Sequence, residues 1–229
     1  MTVWTRTLRT ISAVLLTVGL TVGLTAGCTS GEGTVEHDAG GLTRQEVAAL
    51  SLQDEFDRYR EHYRTMQQVL ADAQRQLSVG EWHWNGGDAI PQIGGVGMRP
   101  LAGADTHNTY ALESGRSWDP DGAHGSRSDL EPLIDHFAAK GWSHHVERIT
   151  DTYYLDGYTD DGWRIQYLVQ PSGHYSLDVF SDLFWTNDAD ALSEAVGGRA
   201  GGRHPSSSRP GEYPEPPTWD SPIISPPKI

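Results

Sequence analysis

Ten histidines and 31 carboxylates are the side chains of this 229-residue chain with most scope for chemistry, and their spacing limits what they can do. His144 and His145 are adjacent, and His83 and His174 fall on other expected strands. Converging imidazoles would suit zinc. Neighbours on a strand point to opposite faces, however, so His144 and His145 cannot share a centre without a bulge. Scattered surface histidines are the simpler reading. Asp160-Asp161 and Asp188 with Asp190 lie close in sequence, but a glycoside hydrolase needs two carboxyls held apart across a cleft. These pairs read as turns and solvated faces. Asp119-Pro120-Asp121-Gly122 lacks the later Gly and the twelfth-position Glu of a calcium loop, and reads as a turn. Gly95-Val96-Gly97-Met98-Arg99-Pro100 has Pro where a dinucleotide fingerprint needs its third Gly. Gly-x-Ser-x-Gly, His-Glu-x-x-His and a phosphate loop ending in Lys-Ser/Thr are all absent from the sequence. No catalytic residue, metal ligand or cofactor is assigned.

Cys28 is the only cysteine, so no disulfide can form within the chain. Before it, Arg6 and Arg9 are the only charges, followed by an apolar run from Ile11 to Leu24. That run is short for a membrane span and reads as a secretory signal. Leu24-Thr25-Ala26-Gly27-Cys28 resembles the lipobox of bacterial lipoproteins, with Thr25 where the common pattern has Leu. The resemblance implies cleavage before Cys28, a diacylglyceryl thioether on its sulfur and an acylated new N-terminus. Cys28 is therefore the one site residue expected, as a lipidation site. The implied address is the extracytoplasmic face of the cell membrane.

The chain then divides into a signal peptide at 1–27, a polar Gly-rich tether at 28–41, a folded domain at 42–196 and a tail at 197–229. Thr43-Arg44-Gln45-Glu46 is a capping box, and Ser51-Leu52-Gln53-Asp54 is a second helix start. From there Leu52, Phe56, Tyr59, Tyr63, Met66, Leu70, Ala73 and Leu77 recur at spacings of four and three, with no Gly or Pro before Gly80. Such a seam suits a coiled-coil dimer or a helix laid on its own sheet. Bulky Phe56, Tyr59 and Tyr63 favour the second and a monomer. Residues 80–125 are irregular, with strand-like alternation at Trp82–Trp84 and a second strand at His107–Glu113. A helix follows from Asp129 to Lys140, with Ser126 and Ser128 as candidate caps and Gly141 as its left-handed stop.

Trp142 to Trp185 reads as an antiparallel meander. Pro171-Ser172-Gly173 is hairpin chemistry that sets Val169 opposite Tyr175, Tyr167 opposite Leu177 and Ile165 opposite Val179. A slip of one residue would mix the two faces. Asp161-Gly162 marks the preceding turn. As a tight two-residue turn it puts Tyr154 and Tyr158 on the core face; slipped by one, it puts Tyr153 and Leu155 there. The tight turn is preferred. A short helix from Asn187 to Val196 closes the domain. The tail holds five Gly and eight Pro among 33 residues and is expected to be disordered. Pro214-Glu215-Pro216-Pro217-Thr218-Trp219 has the composition of a polyproline-type ligand for some other domain, but an unstructured end is the preferred reading.

In order of parts (lipobox, polar tether, long first helix, helix ending in Lys-Gly-Trp, antiparallel hairpins, Pro-Glu-Pro-Pro-x-Trp tail) the chain resembles the LppA-like lipoprotein family of actinobacteria. The resemblance implies an envelope address and a fold, and no reaction. Nucleic-acid binding is excluded by charge: the formal net is −14 with no basic face, and residues 42–196 hold 25 acidic against 11 basic side chains. The expected architecture is α+β, with two main helices on one face of an antiparallel meander. The expected role is binding rather than catalysis, to an envelope protein or a glycan, with the membrane engaged only through the lipid on Cys28. The alternative is an envelope hydrolase built from dispersed Asp, Glu and His.

Overall fold

Reciprocal caps start the first two helices. Thr43 and Glu46 satisfy each other's backbone N–H at the head of α1 (Arg44–Val47), and Ser51 and Asp54 do the same for α2 (Leu52–Leu77). Phe56, Tyr59, Tyr63, Met66, Leu70 and Ala73 of α2 are fully buried. They pack on the chain's own sheet, which uses up the seam that a coiled coil would need. The computed structural model of the chain describes residues 36–88, 90–94, 101–201 and 204–225. The leader, Cys28 and the Gly95–Pro100 motif lie outside the described residues.

After α2 come β1 (Trp82–Trp84), β2 (Gln92–Ile93), β3 (Thr109–Ala111) and β4 (Glu113–Trp118). A 3-10 turn at Arg127–Leu130, capped by Ser126, leads into α3 (Glu131–Lys140). Then follow β5 (Ser143–Ile149), β6 (Thr152–Tyr158), β7 (Trp163–Val169), β8 (Tyr175–Ser181), β9 (Phe184–Trp185), α4 (Ala189–Ala200) and β10 (Ser207–Ser208). Seven strands form one sheet in the order β10-β1-β4-β8-β7-β6-β5, and three form another in the order β2-β3-β9. The pairings are antiparallel, and the fold is α+β.

One face of the large sheet is covered. Leu155, Ile165, Tyr167, Val169, Tyr175, Leu177 and Val179 are buried there, and the alternating residues Arg164, Gln166, Leu168, Ser176, Asp178 and Phe180 are half-buried on the other face. α2 crosses β4, β7 and β8, while α3 packs on α2 and β5. Each such aliphatic side chain contributes roughly 1.5–3 kcal/mol by leaving water. Gly141 ends α3 with φ of 74°, and the Trp142 N–H returns to the Phe137 carbonyl at 2.9 Å. Phe137 lies directly on Gly157 of β6, where an added Cβ would sit 2.4 Å from its ring.

The β7–β8 register is the expected one, with Tyr167 opposite Leu177 and Ile165 opposite Val179. Between β6 and β7 the preferred tight turn is not what forms. Tyr153 pairs with Val169 and Leu155 with Tyr167, so the slipped alternative holds and Leu155 enters the core. The loop is Asp160-Asp161-Gly162, closed by Thr159 N–H to Trp163 C=O at 2.9 Å, with Gly162 at φ +85°. The Thr159 hydroxyl takes the Trp163 N–H at 2.9 Å, so that donor is paired across the longer loop.

Both ends of the domain reach further than composition suggested. Residues 36–41, expected as tether, pack on the domain: buried Asp38 accepts N–H bonds from Gly40, Leu42 and Trp185 at 2.9 Å each. Disorder after Gly197 is likewise the wrong description of residues 204–225. α4 runs on to Ala200, and β10 then pairs with β1, placing Ser208 opposite Trp82 and Ser207 opposite His83. From there the chain crosses α2, with Tyr213 against Tyr63 and Trp219 against Phe56. Counting Gly and Pro hid these two aromatic anchors. Proline also restricts the unfolded chain, which lowers the entropy lost on ordering it.

Candidate functional site

The strand that builds the site is β4, Glu-Ser-Gly-Arg-Ser-Trp, which has no apolar alternation to announce it. It pairs along β8 from Tyr175 to Phe180, setting Ser114 opposite Val179 and Arg116 opposite Leu177. Arg116 therefore points into the core and is 2% exposed. Its guanidinium lies over the Trp84 ring, 3.4 Å from the centroid, and pairs with Asp88 at 3.0 Å. Asp88 Oδ2 also accepts from Gln67 Nε2 at 2.8 Å and from the Ser114 hydroxyl, while Oδ1 takes the Tyr63 hydroxyl at 3.3 Å. Arg116 also gives bonds to Gly115 C=O at 2.8 Å, the Ser114 hydroxyl at 3.1 Å and Gln67 Oε1 at 3.3 Å. Burial pulls the Arg116 pKa down from its usual value, and the Asp88 carboxylate opposes that shift. The Tyr63 hydroxyl is held well above the usual phenol range, first by burial and then by Asp88.

Two members of this network, Tyr63 and Asp88, line a cleft of about 270 Å³. Tyr63, Trp84 and Ile90 form its walls, and Pro214, Pro216 and Pro217 its roof. His204 stacks on Trp84, with ring centroids 5.8 Å apart and planes 14° from parallel. Apolar and aromatic walls with a few fixed polar groups are the usual makeup of a small-molecule or peptide site. Comparison with known protein families, with curated proteins and with solved structures gives no match. The chemistry of this chain must be read from its own geometry.

The residues singled out in the sequence mostly do not converge. His83 is on β1 and His144 and His145 on β5, with four strands between them. At about 4.8 Å per strand this is about 24 Å. His174 pairs with Asp119 at 2.9 Å on the surface, and Gly122 turns the chain there at φ +73°. Asp188 caps α4 through the Ala191 N–H, and Asp190 lies 3.8 Å from His107. Asp160 and Asp161 do come together with Glu36, Asp38 and Asp182, around a hollow of about 520 Å³. Among the described residues no three His, Cys, Asp or Glu side chains are placed to hold a metal ion.

Sequence reasoning passed over Arg116, Asp88 and Gln67, and also His62. The His62 ring stacks on Phe184 at 4.0 Å, and Nδ1 meets the Tyr110 hydroxyl at 2.9 Å. Burial, with Arg58 adding to it, pushes its pKa down to about 3. It stays a neutral imidazole across the physiological range. A histidine at a core-facing helix position was the available signal.

On the uncovered face of the sheet, Asp178 lies over Gly115, where an added Cβ would sit 2.3 Å from the carboxylate. Burial raises its pKa to about 6. The folded state thus holds this proton to higher pH than the unfolded chain, whose Asp titrates at about 3.9. Stability from this group is full below the unfolded pKa and is lost as pH rises through 6. Two units correspond to about 3 kcal/mol at most. Asp178→Asn is therefore expected to stabilise the domain at pH 7.5 by about 1–2 kcal/mol in urea melts, and to do nothing at pH 4. Equal effects at both pH values would show that the charge is not the cause.

Proposed function

We propose that the protein is a lipid-anchored binding module of the cell envelope, held at the outer face of the cytoplasmic membrane through Cys28 and offering the aromatic cleft to its partner. The observation that carries the binding half is Asp88, which lines that cleft. Asp88 accepts from Tyr63, Gln67, Ser114 and Arg116 together. A carboxylate that meets four donors, one of them a guanidinium, is held in a fixed position, which suits a binding surface of set shape. The address rests on the lipobox-like Leu24–Cys28 and on the resemblance to LppA-like lipoproteins.

A photo-crosslinking residue at Ile90, which is 45% exposed at the cleft, should give discrete higher-mass adducts in intact cells. The same residue at Gln166, on the uncovered sheet face, should not. Adducts from neither position, or from Gln166 alone, would overturn the assignment of the cleft.

Anchoring is tested separately. Residues 42–196 carry 25 acidic and 11 basic side chains, so anionic lipid should repel the domain within a Debye length of about 8 Å. Cys28→Ala should abolish acyl labelling, and exchanging the leader for a signal without a lipobox should send the protein into the medium. Sedimentation of that exchanged protein with membranes at physiological salt would mean that something other than the lipid holds it.

A further inference from the structure

Residues 213–219 sit on the domain as a proline-rich ligand sits on its receptor. Pro216 is buried, Tyr213, Pro217 and Trp219 are half-buried, and Pro214, Glu215 and Thr218 are exposed. A proline-rich stretch favours the polyproline II conformation, which has no internal hydrogen bonds and must be held from outside. The surface that holds it is aromatic and basic. Tyr213 meets Tyr63 edge-on at 6.0 Å, and Trp219 meets Phe56 edge-on at 5.5 Å. Arg64 grips Glu215 through both Nε and Nη2, at 3.0 and 2.9 Å. Arg199 of α4 lies 4.7 Å from the centre of the Trp219 ring and gives its Nε–H to the Trp219 carbonyl at 3.0 Å. Aromatic grooves flanked by charge are how proline-rich segments are recognised between proteins.

We propose that the groove between α2 and α4 is a receptor for a proline-rich segment of a partner protein, with a carboxylate between prolines and an indole four residues further on. In the absence of that partner the chain's own residues 213–219 fill the groove in cis. This rests on the binding reading of the cleft and names its partner. The charges fit that partner. In a strongly acidic domain the groove presents Arg64 and Arg199, set to meet one carboxylate and one indole. The cis ligand is held in a way that allows exchange. Its ion pair is exposed, with Arg64 at 36% and Glu215 at 65%, and an exposed pair adds little to stability. A segment tethered in cis competes at an effective concentration in the millimolar range. Removing its anchors should therefore raise the apparent affinity for a free segment.

The probe is a fluorescein-labelled synthetic peptide of residues 211–221, read by polarisation against the full chain. The Glu215→Ala, Trp219→Ala chain should bind it at least ten-fold more tightly than the wild type does. Adding Arg64→Glu should abolish that gain, and a peptide carrying Glu215→Lys should restore it. Equal binding by wild type and double variant, or none by a double variant that melts cooperatively, would overturn the proposal. If the double variant does not fold, hydrogen exchange on the wild-type chain decides. A large excess of unlabelled peptide should speed exchange at Tyr213, Glu215 and Trp219 while α2 stays protected, and unchanged exchange overturns the proposal. Crosslinking at Ile90 with failure of every peptide arm would sink this partner and leave the binding module standing.

Discussion

Arg116→Met should cost the domain about 3–5 kcal/mol and lower its melting midpoint by about 10 °C. The substitution keeps an apolar stem of similar length against Trp84 and removes the cation that pairs with Asp88. Asp88 is 8% exposed, so water cannot replace the lost partner. A buried carboxylate left without its counter-ion is costly. Asp88→Asn together with Arg116→Met removes both charges, and the double variant should recover part of the loss. Circular dichroism melts of the wild type, the Arg116→Met and Asp88→Asn single variants and the double variant give the coupling directly. A single-variant loss under about 1 kcal/mol would mean that the network has access to solvent and is not rigid.

Tyr167→Asp should leave no cooperative transition at 25 °C. Tyr167 is 1% exposed, opposite Leu177 on β8 and edge-on to Tyr175 at 6.0 Å. Deleting a buried aromatic ring costs about 3–5 kcal/mol, and an unpaired carboxylate in its place adds several more. The sum approaches the whole stability of an ordinary domain, roughly 5–15 kcal/mol. Tyr167→Phe is the control and should melt within a few degrees of the wild type. A cooperative melt for Tyr167→Asp close to that of Tyr167→Phe would place this side chain outside the core.

Where a residue's neighbours in sequence determine its surroundings, the structure could be read in advance. The caps at Thr43 and Ser51, the seam of α2, the stop at Gly141 and the Pro171–Gly173 hairpin all formed as expected. At Asp160–Gly162 the turn residues were right and the loop length was not, because tight and bulged turns share the same Asp-Gly signal. β4 stayed hidden for a different reason. Ser114 and Arg116 occupy positions where a half-buried strand would carry Val or Leu, and they are tolerated because Asp88 and Gln67 meet them from β1's loop and from α2. A polar core of that kind depends on partners 21 to 49 residues away, which no local pattern records. The C-terminal segment was misjudged because low average apolarity conceals a few well-placed rings. The cleft inherits both blind spots, since Asp88 of the polar core lines it and the proline segment roofs it.

The placement of β10 also sets the order in which the protein can be completed. Trp84 Nε1–H bonds the Ser208 hydroxyl across 124 residues, and Arg64 holds Glu215 across 151. Contacts so distant along the chain close late, after the entropy of a long loop has been lost. A ribosome that has not yet released residues 204–219 holds back the last strand of the sheet. Until then β1 keeps an unpaired edge, and Phe56 and Tyr63 lack the rings that cover them. An open edge beside bare aromatics is what recruits other unfinished chains. A nascent chain of this protein therefore needs a chaperone for longer than its early-forming helices suggest, and a stop codon shortly after α4 would yield a sticky product rather than a smaller domain.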